Sequence, residues 1–189
     1  MNNKDLKVAV LGAGAMGCLF GGLLAEKGLN VTLIDVWKEH VEEINKNGLK
    51  MDGHGGDRFI KIPATSDPST IGKVDAVIVM CKATALEPAL KSIKNIIRDK
   101  TVFMSFQNGI GHEAIIKSIV GDEKVIGGTT TQASNILGPG HIMNHAALPS
   151  WIGEYDGGIT DRITEIADTF TAHNFCLLYT SPSPRDLKL

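Results

Sequence analysis

Three glycines, Gly12, Gly14 and Gly17, stand in the run GAGAMG, and their flanks restrict the chain more than any other feature of it. Ahead of them, Lys7 to Leu11 reads KVAVL, a β-branched apolar run suited to a strand buried on both faces of a parallel sheet. Behind them, Ala15 to Lys27 has no proline and stops at Gly28, which predicts a helix with glycine at its C-terminal end. Val31 to Ile34 (VTLI) follows as a second buried strand, closed by Asp35. A bare GxGxxG is a weak signal; between a strand and a helix it is the fingerprint of a phosphate-binding turn. There the first glycine permits the turn, the second lets backbone approach a pyrophosphate, and the third lets the helix pack on the strand. Gly12, Ala13, Gly14, Ala15, Met16 and Gly17 are therefore candidate cofactor-binding residues, with the phosphates at the positive end of the helix dipole.

Asp35 extends this reading. It lies about 20 residues beyond the glycines, where a carboxylate can accept hydrogen bonds from the adenosine ribose hydroxyls. The same charge repels a 2′-phosphate and favours NAD(H) over NADP(H), while the nearby Lys38 weakens that preference. The competing reading is a glycine-rich turn that holds no ligand.

The alternation continues downstream. Trp37 to Asn47 is predicted as a helix with Val41 and Ile44 on one face. Leu49 to Ile62, with its cluster of Gly, Asp and His, is predicted as a hairpin. Asp75 to Met80 is the next buried strand, and the capping-box spacing of Thr84 and Glu87 starts a helix to about Ile97, with Pro88 in its first turn. Thr101 to Phe106 is a further strand, and His112 to Ile119 a helix. From Val125 the pattern becomes strand-like segments (125–131, 141–147 and 151–153) interrupted by Gly138, Pro139, Gly140 and Pro149. A last helix carries Ile159, Ile163, Ile166, Ala167 and Phe170. Strands alternating with helices over 130 residues imply an α/β fold, a doubly wound parallel sheet of Rossmann type.

Composition excludes other classes. At 189 residues and 43% apolar content the chain supports one full α/β domain, not two of equal size. A net charge of −2 without a basic stripe argues against nucleic acid as a partner. Cys18, Cys81 and Cys176 are odd in number and have no CxxC spacing, so a reducing compartment and no zinc site are expected. The N-terminus leaves no room for a signal peptide, and Ala15 to Ala25 is about half a bilayer span, so a cytoplasmic protein without membrane partners is expected. His141 and His145 on a strand would lie about 13 Å apart, too far to share one metal ion. Ser105 and Ser150 lack the GxSxG context of a nucleophile, and Cys81, ending a buried strand, reads as packing.

Three further segments resemble the ketopantoate reductase (2-dehydropantoate 2-reductase) family. They are Lys82 in VMCKA, QNGIG from Gln107 to Gly111, and the spaced GG…A…PGHI…H…IGE from Gly127 to Glu154. With the fingerprint, the resemblance covers residues 7 to about 175. It implies hydride transfer from a reduced nicotinamide, NADP(H) in the family, to the keto carbon of a branched 2-keto acid such as 2-dehydropantoate. It also implies that Lys82 faces the cofactor and substrate cleft and that Asn108 helps to hold nicotinamide and substrate. Both follow predicted parallel strands at their carboxyl ends, where open α/β sheets bind ligands. By residue type alone, Lys82 is equally a solvated surface lysine, and Asn108 with Gly109 equally a turn.

Two departures stand out. Many members carry Arg near the position of Asp35. The family's helical C-terminal domain, which supplies the general-acid lysine and most substrate-anchoring groups, has no counterpart in these residues. The expectation is a chain that binds dinucleotide, turns over 2-keto acid negligibly, and self-associates through the apolar face its missing partner domain would cover. A non-catalytic dinucleotide-binding protein needs only the fingerprint. Dehydrogenases of the 6-phosphogluconate or hydroxyisobutyrate groups share GAGAMG but not QNGIG. Cys176 to Asp186 (CLLYTSPSPRD) resembles a translated sequencing-library adapter, which places the domain at 1–175 and a non-native tail at 176–189. The alternative makes the apolar stretch Phe175 to Tyr179 a strand.

Overall fold

A computed structural model of the chain describes residues 6–107, 111–173 and 175–179. Strand β1 (Lys7–Leu11) leads through the glycine turn into α1 (Ala15–Glu26), then β2 (Asn30–Ile34) and α2 (Lys38–Asn47). The predicted hairpin is β3 (Leu49–Gly53) and β4 (Arg58–Ile60), followed by the short β5 (Ala64–Thr65) and by β6 (Ala76–Val79). Next come α3 (Leu86–Ser92), β7 (Val102–Ser105) and α4 (His112–Val120). The chain continues through β8 (Val125–Thr130), β9 (Ser134–Gly138), β10 (His141–Asn144), β11 (Ser150–Gly153), α5 (Asp161–Ala172) and β12 (Leu177–Tyr179).

The main sheet has the order β12-β11-β8-β7-β6-β1-β2-β5. Its pairs are parallel except where β11 runs against β8. Alternate residues of each strand enter opposite layers, as the two-residue period of a strand requires. Val8, Val10, Ile78 and Met104 pack under α1, α2 and α5, among Phe20, Ile44 and Phe170. Ala9, Leu11, Val77 and Phe103 pack under α3 and α4, among Leu86, Leu90 and Ile116. Helices on both faces of a parallel-dominated sheet make the architecture Rossmann-like, as the alternation of elements predicts.

Other expectations are corrected. Thr84 does not cap α3; it lies in a short 3-10 turn, Ala83–Ala85, and α3 begins after Ala85 with no side-chain cap. With Thr84 as cap, Pro88 would fall where the first intrahelical amide is needed, so the helix starts one residue later, ends at Ser92, and gives way to a 3-10 turn, Lys94–Ile96. Ile159 is not on the last helix but 59% exposed ahead of it, and α5 is capped by the Thr160 hydroxyl, which accepts from the amide of Ile163. Of the segments after Val125, β9 and β10 join the hairpin in a second sheet, β4-β3-β10-β9, in which β10 pairs parallel with β3 from about 90 residues away, whereas β8 and β11 belong to the main sheet. Leu177–Tyr179 forms the parallel edge strand beside β11, and Phe175 packs against Phe20 and Phe170. Among the described residues no helix is long and apolar enough to cross a membrane.

Candidate dinucleotide site

In the sheet order, β1 lies between β2 and β6, and the helices that follow these strands lie on opposite faces, so the carboxyl ends of β1 and β6 flank a switch point. Crevices at such points are where open α/β sheets take ligands. Backbone bonds draw the strand ends together there: the amide of Gly12 donates to Ile34 O at 2.9 Å, and that of Met80 to Leu11 O at 2.8 Å.

Each glycine of the turn does a different job. Gly12 has φ +97°, a left-handed conformation costly to a side chain, and a Cβ there would lie 2.7 Å from the Cα of Cys81. A Cβ on Gly17 would collide with the carbonyl oxygen of Gly12, so its absence lets α1 sit against its own entry turn. A Cβ on Gly14 would meet nothing within 4 Å. Gly14 is the N-cap of α1, which has no side-chain cap and no acidic residue in its first turn. The first amides of α1 thus have no side-chain cap and lie beside the open space at Gly14, at the positive end of the helix dipole. That cradle suits a pyrophosphate.

Asp35 sits beside it, half-buried. Its Oδ2 accepts from the amide of Ala13 at 2.7 Å and its Oδ1 from that of Trp37 at 3.0 Å. Each oxygen keeps a second lone pair, so the carboxylate can brace the turn and still receive a ribose hydroxyl. Lys38 begins α2 and is exposed. A largely apolar cavity of about 160 Å³ opens beside Asp35, walled by Leu11, Ile34, Cys81, Ala85 and Ala89. Its place beyond the ribose position and its apolar walls suit an adenine ring.

The sheet edge continues into Cys81 and Lys82. The Cys81 backbone packs on Gly12, while burial pushes its thiol up to about 11 and so keeps it protonated and unreactive. Lys82 is exposed, at the carboxyl end of β6, as the N-cap of the 3-10 turn Ala83–Ala85. Asn108 lies outside the described residues. Gln107, not singled out within QNGIG by sequence reasoning, bridges the strand ends: its Nε2 donates to Cys81 O, and its Oε1 accepts from Ser105 Oγ at 3.3 Å. Its place directly after a buried strand was the available signal.

The IGE segment proves to be structural in its contacts. Glu154, 5% exposed, accepts at Oε1 from Thr160 Oγ1 and Arg162 Nε, both at 2.6 Å, and at Oε2 from Arg162 Nη2, which ties the end of β11 to the start of α5. His141 lies in β10, where its Nε2 meets Asp52 Oδ2 at 2.6 Å.

Known proteins share this arrangement. The family model described as ketopantoate reductase PanE/ApbA matches residues 8–157. The 2-dehydropantoate 2-reductase of Pyrococcus horikoshii is 39% identical over 165 residues, 87% of this chain and 53% of its own length. The enzyme of the same name from Streptococcus pyogenes is 30% identical over 174 residues, 91% of this chain and 56% of its own length. Among solved structures, 2-dehydropantoate 2-reductase from Geobacter metallireducens superposes with a TM-score of 0.85 at 31% identity, covering 93% of this chain and 58% of that one. D-mandelate dehydrogenase in its ternary structure with NADH and anilino(oxo)acetate superposes at 0.86 and 31% identity, covering 93% and 57%. The chain thus spans about half the length of the curated relatives it matches. With the family model covering most of its length and the glycine cradle at the expected switch point, this chain belongs to the ketopantoate reductase PanE/ApbA family.

Proposed function

We propose that this chain is the dinucleotide-holding part of a cytoplasmic 2-dehydropantoate 2-reductase or of a close relative that reduces a branched 2-keto acid. The observation that carries the reading is the cradle at Gly14: open space at the uncapped N-terminus of α1, between two glycines whose side chains would collide with backbone. Gly12, Ala13, Gly14, Ala15, Met16 and Gly17 would hold the pyrophosphate through backbone amides. Asp35 would accept from the adenosine ribose, and the cavity lined by Ile34 and Ala85 would take the adenine. Reduced nicotinamide supplies the hydride in such reactions.

Lys82, a cation at the exposed carboxyl end of β6, would attract the carboxylate of a 2-keto acid and polarise its keto oxygen. Asn108, three residues beyond β7, would position nicotinamide and substrate from the neighbouring strand end. No general acid is assigned within this chain.

Of the two cofactors, NADH is favoured by Asp35, whose charge opposes a 2′-phosphate, although NADP(H) is what the family resemblance implies. The NADH in the mandelate dehydrogenase structure belongs to that protein and is compatible with this choice. Isothermal titration of the chain with NADH and with NADPH tests the reading. Binding with a stoichiometry near one, lost in Gly14→Val, is the expected result; no heat and no thermal stabilisation with either cofactor would sink it. Lys82→Ala, made in a protein that also carries the general-acid domain, should abolish turnover and leave dinucleotide affinity in place. Turnover kept in that variant would make Lys82 a surface charge and take it out of the reaction, whereas a parent protein that binds dinucleotide but turns over no 2-keto acid would be a binding protein.

A further inference from the structure

Beneath the glycine turn runs a buried chain of polar contacts that the proposed chemistry does not use. His40, on α2, has no solvent exposure, and neither has Cys18, on α1. The Nδ1 of His40 accepts the amide of Gly140 at 2.9 Å, and its Nε2 lies 3.3 Å from Cys18 Sγ. A backbone amide can only donate, so Nδ1 carries no proton and the imidazole is the neutral Nε2–H tautomer. That N–H then points at the sulfur of Cys18, whose own S–H donates to the carbonyl oxygen of Ala13 at 3.0 Å. On the other side of Ala13, Asp35 holds the amide. Burial lowers the His40 pKa against the opposing pull of Asp35 and of the Ala13 backbone, and burial keeps the Cys18 thiol well above the usual thiol range.

The consequence lies in one peptide plane. In a trans peptide the carbonyl and the following amide point in opposite directions. An Ala13 carbonyl held by the buried Cys18 thiol therefore turns the amide of Gly14 the opposite way, at a residue where an added Cβ would meet nothing within 4 Å. We propose that His40 is a positioning residue for the dinucleotide: acting through Cys18, it orients the Ala13–Gly14 peptide so that the Gly14 amide faces the pyrophosphate. The inference rests on the dinucleotide reading and deepens it by naming side chains that touch no ligand. It also gives a role to Gly140, in the turn between β9 and β10, which anchors the far side of the ring.

The two ring contacts can be separated by substitution. Glutamine places its amide nitrogen near the Nε2 position and keeps the contact with Cys18, whereas asparagine mimics Nδ1 and keeps only the contact with Gly140. At Cys18, Ser retains the donor to Ala13 and Ala removes it. NADH affinity of the 189-residue chain, by fluorescence, and its melting temperature without ligand are the two readouts. His40→Asn and Cys18→Ala should bind about tenfold more weakly, and His40→Gln and Cys18→Ser should stay within about twofold of the unaltered chain. A role confined to stability would instead weaken all four in step with their melting temperatures, or spare affinity in all four, and either pattern overturns the proposal. If the unaltered chain binds NADH and Gly14→Val does not, such a pattern removes this inference alone; if the unaltered chain binds neither NADH nor NADPH, both readings fall.

Discussion

Asp35 and Ala13 face each other across the entry to α1, the carboxylate accepting the backbone amide at 2.7 Å. One side chain thereby braces the turn and sets its charge, and the two roles separate by substitution. Asp35→Asn keeps an oxygen for the Ala13 amide and removes the charge, so the ratio of NADPH to NADH affinity should rise by about tenfold. Asp35→Ala should lower the melting temperature as well, because it leaves the amide of a part-buried turn without its acceptor. Titration of both variants with both cofactors, alongside thermal melts, checks this; an unchanged ratio in the Asn variant would remove Asp35 from cofactor choice.

Gly17 and Gly14 should respond oppositely to an added side chain. In Gly17→Ala the new methyl meets the Gly12 carbonyl, which is backbone and cannot swing aside, so a loss of about 2–3 kcal/mol is expected in urea unfolding. In Gly14→Val the branched side chain enters open space, so stability should stay within about 1 kcal/mol while dinucleotide binding disappears. A Gly14→Val protein that binds NADH normally would show that the cradle is not where the pyrophosphate sits.

His40 makes the fold sensitive to mild acid. Its folded pKa lies below the ordinary 6.5, so the unfolded chain binds the proton more tightly. Its contribution is fully present above pH 6.5 and is lost as pH falls from there toward the folded value. The titratable neighbours facing it are Asp35, whose charge pulls the other way, and Cys18, which stays a thiol. Urea midpoints measured from pH 7.5 down to 5.5 should decline in the unaltered chain and decline less in His40→Gln; equal slopes would remove His40 as the cause.

The Glu154–Arg162 pair should matter at lower pH. Burial pushes the Glu154 carboxyl up, but Arg162 and Thr160 outweigh it and hold the group below the usual carboxylate range. Its stabilisation is present above the ordinary carboxylate value and is lost as pH falls through the folded one. Arg162→Met leaves a carboxylate whose side chain is 6% exposed without its partner, and a loss of about 3 kcal/mol is expected. Adding Glu154→Gln to that variant should recover part of the loss in a double-mutant cycle, and strictly additive effects would show that the pair is not coupled.

Much of the fold was legible in order of sequence because it is local. The strand at Lys7–Leu11, the helix behind the glycines and the hairpin after Leu49 follow from apolar periodicity, proline absence and turn residues, all within a few positions of one another. The turn itself was legible because φ +97° at Gly12 and the contact of Gly17 with Gly12 are demands of a six-residue motif. What spacing could not show is which distant segments meet. The pairing of β3 with β10, the joining of Gln107 to Cys81, and the contact of Gly140 with His40 span from 26 to 100 positions. No local pattern marks such partners; they become neighbours only when the apolar faces of strands and helices close into layers, and the buried polar groups left between them must then find one another.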